Sequence, residues 1–327
     1  MKNILVVGGA GYIGSHTVKA LSKAGFQPIV YDDLSSGHKE AVLEAKLIIG
    51  ELSDRKLLSK IIGEEKIQAV MHFAGIIEVG ESVENPAKYL KNNCADGVNL
   101  IEAMLENDVK NFIFSSTAAV YGEPDIVPIP ETSATQPTNP YGLSKLLFEK
   151  TLRYYREQSG LNYISLRYFN AAGADVEGAL GADHAKKTHM ITLAVMTALG
   201  QRDKFELYGT DYETPDGTCI RDYIHVDDLA DAHVLALNKL LENGQSSFIN
   251  LGTGRGHSNK EVIDEVKNIS GSDFQVIKTA RREGDPSVLV ASSEKAKKTL
   301  GWQPKYSDLE TIVRTAFEWQ KSHPNGY

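Results

Sequence analysis

Ile4-Leu5-Val6-Val7-Gly8-Gly9-Ala10-Gly11-Tyr12-Ile13-Gly14 is the stretch that decides how the rest of this chain reads. Residues 4–8 form a short apolar run of the kind buried in a parallel sheet, and residues 12–25 carry helical spacing. Between them stand three glycines, each three positions from the next. Gly8 permits a tight turn, Gly11 lets the backbone approach a pyrophosphate, and Gly14 lets the helix pack closely on the strand, with the helix N-terminus facing the anion. A glycine triplet alone signals only a turn, because glycine also serves backbone freedom. The strand before it and the helix after it make this one a dinucleotide loop. Tyr31-Asp32-Asp33 closes the next strand, Gln27–Asp32, where Asp32 can accept from the ribose hydroxyls of adenosine and repel a 2′-phosphate. The expected cofactor is therefore NAD and not NADP.

Outward from this loop, short apolar runs alternate with longer amphipathic ones. Strands are expected at Lys46–Ile49, 69–73, 111–116 and 163–167, and helices at Arg55–Glu64, 86–107 and 141–158. That alternation predicts a Rossmann-like, doubly wound parallel sheet of the α/β class, with ligands at the carboxyl ends of its strands. After residue 170 the pattern loosens. A stretch rich in glycine and charge, 173–188, leads to helical runs near 191–199 and 227–241 and a strand at 248–251. The expected organisation is a mainly NAD-binding domain over 1–170 and a smaller, interleaved substrate lobe over 171–327. Segments near 227–251 are expected to return to the first domain.

Asn139-Pro140-Tyr141-Gly142-Leu143-Ser144-Lys145 opens one of these helices, with proline at its first position. Tyr141 and Lys145 are i,i+4 and share a face. An ammonium beside a phenol favours phenolate, so Tyr141 is the expected general base and Lys145 its tuner, which also holds the nicotinamide ribose. Such a pair is common on plain surface helices; the dinucleotide loop upstream and the hydroxyl-rich strand end Ser115-Ser116-Thr117 make it a catalytic candidate. Thr117 is expected to bond a substrate oxygen beside Tyr141, while Ser115 and Ser116 are equally open to capping roles.

Composition narrows the function classes. The 327 residues carry a net charge of −8, which argues against a nucleic-acid or acidic-membrane surface. Only two cysteines occur, Cys94 and Cys219, in no metal-ligand spacing, so neither a disulfide framework nor a metal site is expected. The absence of a long apolar run predicts a soluble, cytoplasmic protein.

Taken together, these residues resemble the UDP-galactose 4-epimerase family of extended short-chain dehydrogenases/reductases, nearly end to end. Besides the glycine loop and the Tyr141/Lys145 pair, the matching segments are His72-Phe73-Ala74-Gly75, Gly80-Glu81-Ser82-Val83, Arg167-Tyr168-Phe169-Asn170 and Arg221-Asp222-Tyr223-Ile224-His225-Val226. Arg281-Arg282-Glu283-Gly284-Asp285 and the closing His323-Pro324-Asn325-Gly326-Tyr327 match as well. The resemblance implies NAD contacts at Gly8, Gly11, Tyr12, Ile13, Gly14, Asp32, Asp33, Glu51, Leu52, Phe73, Ala74, Gly75, Asn92, Tyr141, Lys145 and Phe169. It implies substrate contacts at Thr117, Asn170, Thr188, His189, Met190, Tyr208, Arg221, Arg282, Asp285 and Leu289. Guanidinium forks suit a diphosphate, so Arg221 and Arg282 are expected there, although ion pairs with Asp222 or Glu283 are also open to them. Several positions depart from the family's pattern: Thr117 for serine, Glu51 for aspartate, Ile77 for lysine, Thr188-His189-Met190 for paired asparagines, and Leu289 for a tyrosine beside the hexose. The smaller Leu289 would leave room for an N-acetyl group.

The implied activity is reversible C4 epimerisation of a UDP-hexose, with bound NAD taking and returning a hydride and Tyr141 taking the 4-hydroxyl proton. A homodimer through the helices at 86–107 and 141–158 is implied too. A 4,6-dehydratase needs acids after the hydroxyl residue, and Ala118 and Ala119 cannot transfer protons. A net 4-reductase and a catalytically silent NAD-sensing regulator remain as rivals.

Overall fold

The computed structural model describes residues 1–184, 186–281 and 285–327. In chain order its first half runs β1 (Asn3–Val7), α1 (Tyr12–Lys23), β2 (Gln27–Asp32), β3 (Lys46–Ile49), α2 (Arg55–Glu64) and β4 (Ile67–His72). Three further helices, α3 (Val79–Glu84), α4 (Pro86–Leu90) and α5 (Asp96–Glu106), precede β5 (Asn111–Thr117), α6 (Pro140–Ser159), β6 (Asn162–Tyr168) and β7 (Asn170–Ala172). The second half holds α7 (Met190–Ala198), β8 (Phe205–Tyr208), β9 (Ile220–His225), α8 (Val226–Asn243), β10 (Ser247–Leu251), β11 (Gly256–Ser258) and α9 (Asn259–Ser270). It ends with β12 (Val276–Thr279), β13 (Val288–Leu289), α10 (Glu294–Leu300) and α11 (Leu309–Ser322).

Seven of these strands form one sheet in the order β10-β6-β5-β4-β1-β2-β3, and every pairing in it is parallel. The fold is the expected doubly wound α/β sheet. Its central strands carry apolar runs, such as residues 4–7 and 29–31, because both faces are covered there. Ile4 and Val6 enter the core shared with α1 and α8, whereas Leu5 and Val7 enter the core shared with α2, α5 and α6. The sheet order reverses on either side of β1 and β4, and ligands of such sheets bind in the crevice this reversal opens.

Beyond β6 the chain builds two small sheets. β9 pairs with β11, β13 and β7, and β8 pairs with β12. The short strands β7, β11 and β13 escape sequence reading because two or three residues cannot display a period. The helix expected over 86–107 is broken: Lys91–Ala95 is a π-helical turn between α4 and α5. Such turns interrupt the i→i−4 ladder and often mark functional positions.

Candidate active site

The dinucleotide loop sits where β1 and β4 part. Phe73 N and Ala74 N both donate to Val7 O, at 2.7 and 3.1 Å, which brings the end of β4 against the loop. Gly8 has φ +79°, and a Cβ there would lie 2.4 Å from Ala74 N; a Cβ on Gly14 would lie 2.2 Å from Gly8 O. Both positions need glycine for packing within the chain. Gly11 does not, since its nearest neighbour would be at 3.5 Å. Glycine there leaves a clear approach to the N-terminus of α1, which no side chain caps and no acidic residue occupies.

Around this loop the other expected cofactor residues are placed as follows. Asp32 accepts from Ala10 N and Leu34 N, both at 2.9 Å. Burial raises its pKa and those two N–H groups oppose the rise, so its oxygens are aimed by the loop itself. Asp33 is exposed and binds Ser35. Glu51 O accepts from Tyr31 Oη at 2.8 Å, and Leu52 is buried beside it. Tyr12 Oη donates to Gly173 O at 2.7 Å. Ile13 and Phe169 pack half-buried on the core. Asn92, on the π turn, keeps its Oδ1 buried with no partner among the described residues. A cradle cleared of side chains, an uncapped helix end, an oriented carboxylate and an orphaned amide oxygen fit NAD.

Asn139 caps α6 by accepting from Gly142 N at 2.9 Å, which starts the helix so that Tyr141 lies at its first turn. Thr117 ends β5 and also accepts from Ala119 N at 3.1 Å. Burial pushes the Tyr141 phenol above its ordinary value; a hydrogen bond from Thr117 pulls it back and Glu78 pushes it further up. Lys145 Nζ donates to Ser115 O at 3.0 Å and stands 5.0 Å from the Phe114 ring centroid. Desolvation brings Lys145 down to about 8, with the Glu149 carboxylate opposing that fall. Gly75 lies on the other side of this ammonium, where a Cβ would be 3.3 Å from Nζ.

A cavity of about 850 Å³ opens from Thr117 and Tyr141 toward the small sheets. Tyr12 and Phe169 line it on the dinucleotide side, with Asn170, Thr188, His189 and Met190 along one wall. Tyr208, Arg221, Asp285 and Leu289 line its far end. Arg221 Nη2 donates to Asp285 Oδ1 at 2.6 Å, so these two pair with each other; Asp222 instead accepts from Thr253, Gly254 and Ala291. Asn170 Nδ2 donates to Asp222 O at 3.0 Å and Tyr208 Oη to Glu206 at 3.0 Å. Arg282 lies outside the described residues.

Sequence reading missed three participants. Glu78 lines the cavity close enough to act on both Tyr141 and His189. Asn93, fully buried, ties the loop after β4 to α6 through Ile76 and Ser144. Glu149, four residues beyond Lys145, was legible as one more i,i+4 step.

A model of the NAD dependent epimerase/dehydratase family matches residues 4–252. The chain belongs to this family. Within it, the chain is 51% identical to the UDP-glucose 4-epimerase of Halalkalibacterium halodurans over 324 residues, 99% of this chain and 97% of that protein. Among solved family structures, the UDP-glucose 4-epimerase from Brucella ovis in complex with NAD superposes with a TM-score of 0.95 at 49% identity, covering 97% and 98% of the two chains. The enzyme from Bifidobacterium longum in complex with NAD+ and UDP gives a TM-score of 0.95 at 36% identity over the whole of both chains.

Proposed function

We propose that this chain is an NAD-dependent isomerase that interconverts UDP-glucose and UDP-galactose at C4. One observation carries the reading: Thr117 and Tyr141 share a single cavity with Arg221 and Asp285, while the positions after Thr117 are apolar alanines. Bound at the loop after β1, NAD supplies what no side chain can, acceptance and return of a hydride. Tyr141 takes the proton of the 4-hydroxyl and later gives it back. Thr117 holds the phenol and the hydroxyl in one line. Arg221, released from Asp285, suits the diphosphate, and Asp285 then suits the ribose hydroxyls of uridine. Binding energy is thus gathered at the nucleotide, far from the reacting carbon. The hexose is left free to present its other face, and Ala118 and Ala119 offer no acid for elimination.

Incubating the purified chain with UDP-galactose and no added cofactor, and reading the C4 configuration by NMR, tests this. A mixture of both hexoses is expected; a stoichiometric demand for NADPH would make it a net 4-reductase. UDP-N-acetylgalactosamine in a parallel tube is expected to react as well, because Leu289 lines the pocket where a larger ring would narrow it. A pocket that turns over only the plain hexose refutes that part.

The chain is read as a cytoplasmic homodimer. Among the described residues no helix is long and apolar enough to cross a membrane. Leu143, Leu147 and Tyr154 stand exposed along one face of α6, an apolar stripe that a second copy would cover. Light scattering is expected to give twice the 35.8 kDa chain mass, and a monomer value would remove the dimer.

A further inference from the structure

The closing segment His323-Pro324-Asn325-Gly326-Tyr327 takes no part in the chemistry above, yet it is fastened to the wall of the cavity. The described residues of 173–189 are irregular until α7 begins. The first half of this loop is held by helices: Lys19 pairs with Asp175 at 2.5 Å, and Val176 N donates to Asp227 at 3.0 Å. Its second half carries the cavity residues His184, Lys186, Lys187, Thr188 and His189. Among the described residues, the hydrogen bonds tying 181–187 to other parts of the chain come from His38 and Tyr327 alone.

Tyr327 grips the loop at two points. Its Oη accepts from Gly181 N at 2.9 Å and donates to Gly181 O at 3.3 Å, and its N donates to Asp183 Oδ2 at 3.1 Å. Gly326 has φ +82°, and a Cβ there would fall 2.0 Å from Asp183 Oδ2, so the approach is open only to glycine. Asp183 also faces His38 Nε2 at 3.3 Å and Lys187 Nζ. His38 Nε2 is 2.8 Å from Asp183 O, and its backbone N donates to Ala10 O within the dinucleotide loop at 3.0 Å. The Tyr327 ring lies 5.1 Å from His38 and 5.4 Å from Trp319, which lines the cavity and stacks on His323 at 4.7 Å. Next to Asp183, His184 sits edge-on to Tyr12 at 5.5 Å and 4.7 Å from His189, whose Nδ1 is buried without a partner among the described residues.

We propose that 323–327 is a strap that positions the 181–189 wall and the dinucleotide loop against each other, with Tyr327 and Asp183 as positioning residues for substrate and cofactor binding. The strap rests on the epimerase reading for the identity of its ligands. Unstrapped, the wall occupies its binding-competent arrangement only part of the time, and apparent affinity falls by that fraction, while the reacting groups on β5 and α6 stay where they are.

The test compares the full chain with a deletion of 323–327, Tyr327→Phe and Asp183→Asn. It measures NAD retained through purification, UDP affinity by titration calorimetry, and steady-state kinetics with UDP-galactose. The deletion is expected to raise the UDP dissociation constant and the KM about tenfold, to shed NAD, and to change kcat by no more than about twofold. Tyr327→Phe and Asp183→Asn should move the same readouts in the same direction by less. Unchanged retention and affinity in the deletion overturn the strap. Where the deletion does not fold, the same result in both point variants overturns it. A full chain that binds NAD and UDP but does not epimerise overturns the activity reading instead, and leaves the strap to be judged on binding alone.

Discussion

Tyr141→Phe lowers kcat for UDP-galactose by about three orders of magnitude, within the range general acid–base residues supply, and leaves UDP affinity and retained NAD unchanged. The expectation follows from where the ring stands. Tyr141 shares the cavity with the nucleotide-facing Arg221 and Asp285 but has no hydrogen bond to either, so losing its oxygen disturbs proton transfer and not anchoring. The phenol is pushed upward by burial and by Glu78 and drawn back by Thr117. Only the deprotonated phenol accepts the 4-hydroxyl proton, so the rate rises as pH rises through its pKa. Thr117→Val removes the group that draws that pKa down, and is expected to move the rising limb of the pH–rate profile to higher pH. A fall in kcat of less than tenfold in Tyr141→Phe, with UDP still bound, would take the proton-transfer role away from this residue.

That prediction also marks how far the sequence could be read. The helix start at Asn139-Pro140 and the i,i+4 spacing of Tyr141 and Lys145 are local facts, and the chain alone discloses them. Lys145's partner is not local. A lysine has four carbons of reach, and its bond to Ser115 O depends on how α6 crosses β5. The same division holds for the glycine loop. Gly8 and Gly14 are readable as glycines that a strand–helix turn requires, whereas the crowding of Gly8 by Ala74 arises only when β4 is laid beside β1. The parallel strands are legible through the apolar runs at their centres, such as 4–7 and 69–71, which are buried on both faces. The strands β7, β11 and β13, which shape the substrate end, are too short to show a period. Arg221 illustrates the limit at a binding residue: its charge suggested either a phosphate or an adjacent acid, and in the folded chain it meets Asp285, 64 residues away.

Glu149→Leu is expected to destabilise the fold by about 3–5 kcal/mol, the cost of leaving a buried charge without its partner. Glu149 and Arg167 are almost wholly enclosed, with side-chain exposures of 1% and 6%. Arg167 Nε and Nη2 donate to the two carboxylate oxygens at 2.9 and 2.6 Å, and Ser116 and Ser165 hydroxyls donate to Oε1 at 2.7 and 2.9 Å. Arg167 Nη1 donates in turn to Tyr121 Oη, which donates to Asn250 Oδ1. This network pins β5, β6 and β10 to α6 directly behind the catalytic pair. Replacing both charged residues, Glu149→Leu with Arg167→Leu, should recover most of the loss in urea unfolding, because removing a whole buried ion pair is often close to neutral. A cost below 1 kcal/mol for the single variant, or no recovery in the double, would deny the pair its structural role. The milder Glu149→Gln separates support from electrostatics. Glu149 is the group that opposes the desolvation of Lys145, which holds that ammonium at about 8. Without the carboxylate the lysine surrenders its proton at lower pH, since its charged form exists only below its pKa. The alkaline limb of kcat/KM should therefore move down in Glu149→Gln while NAD retention at pH 7 persists. A profile superimposable on that of the parent chain would confine Glu149 to holding the strands together.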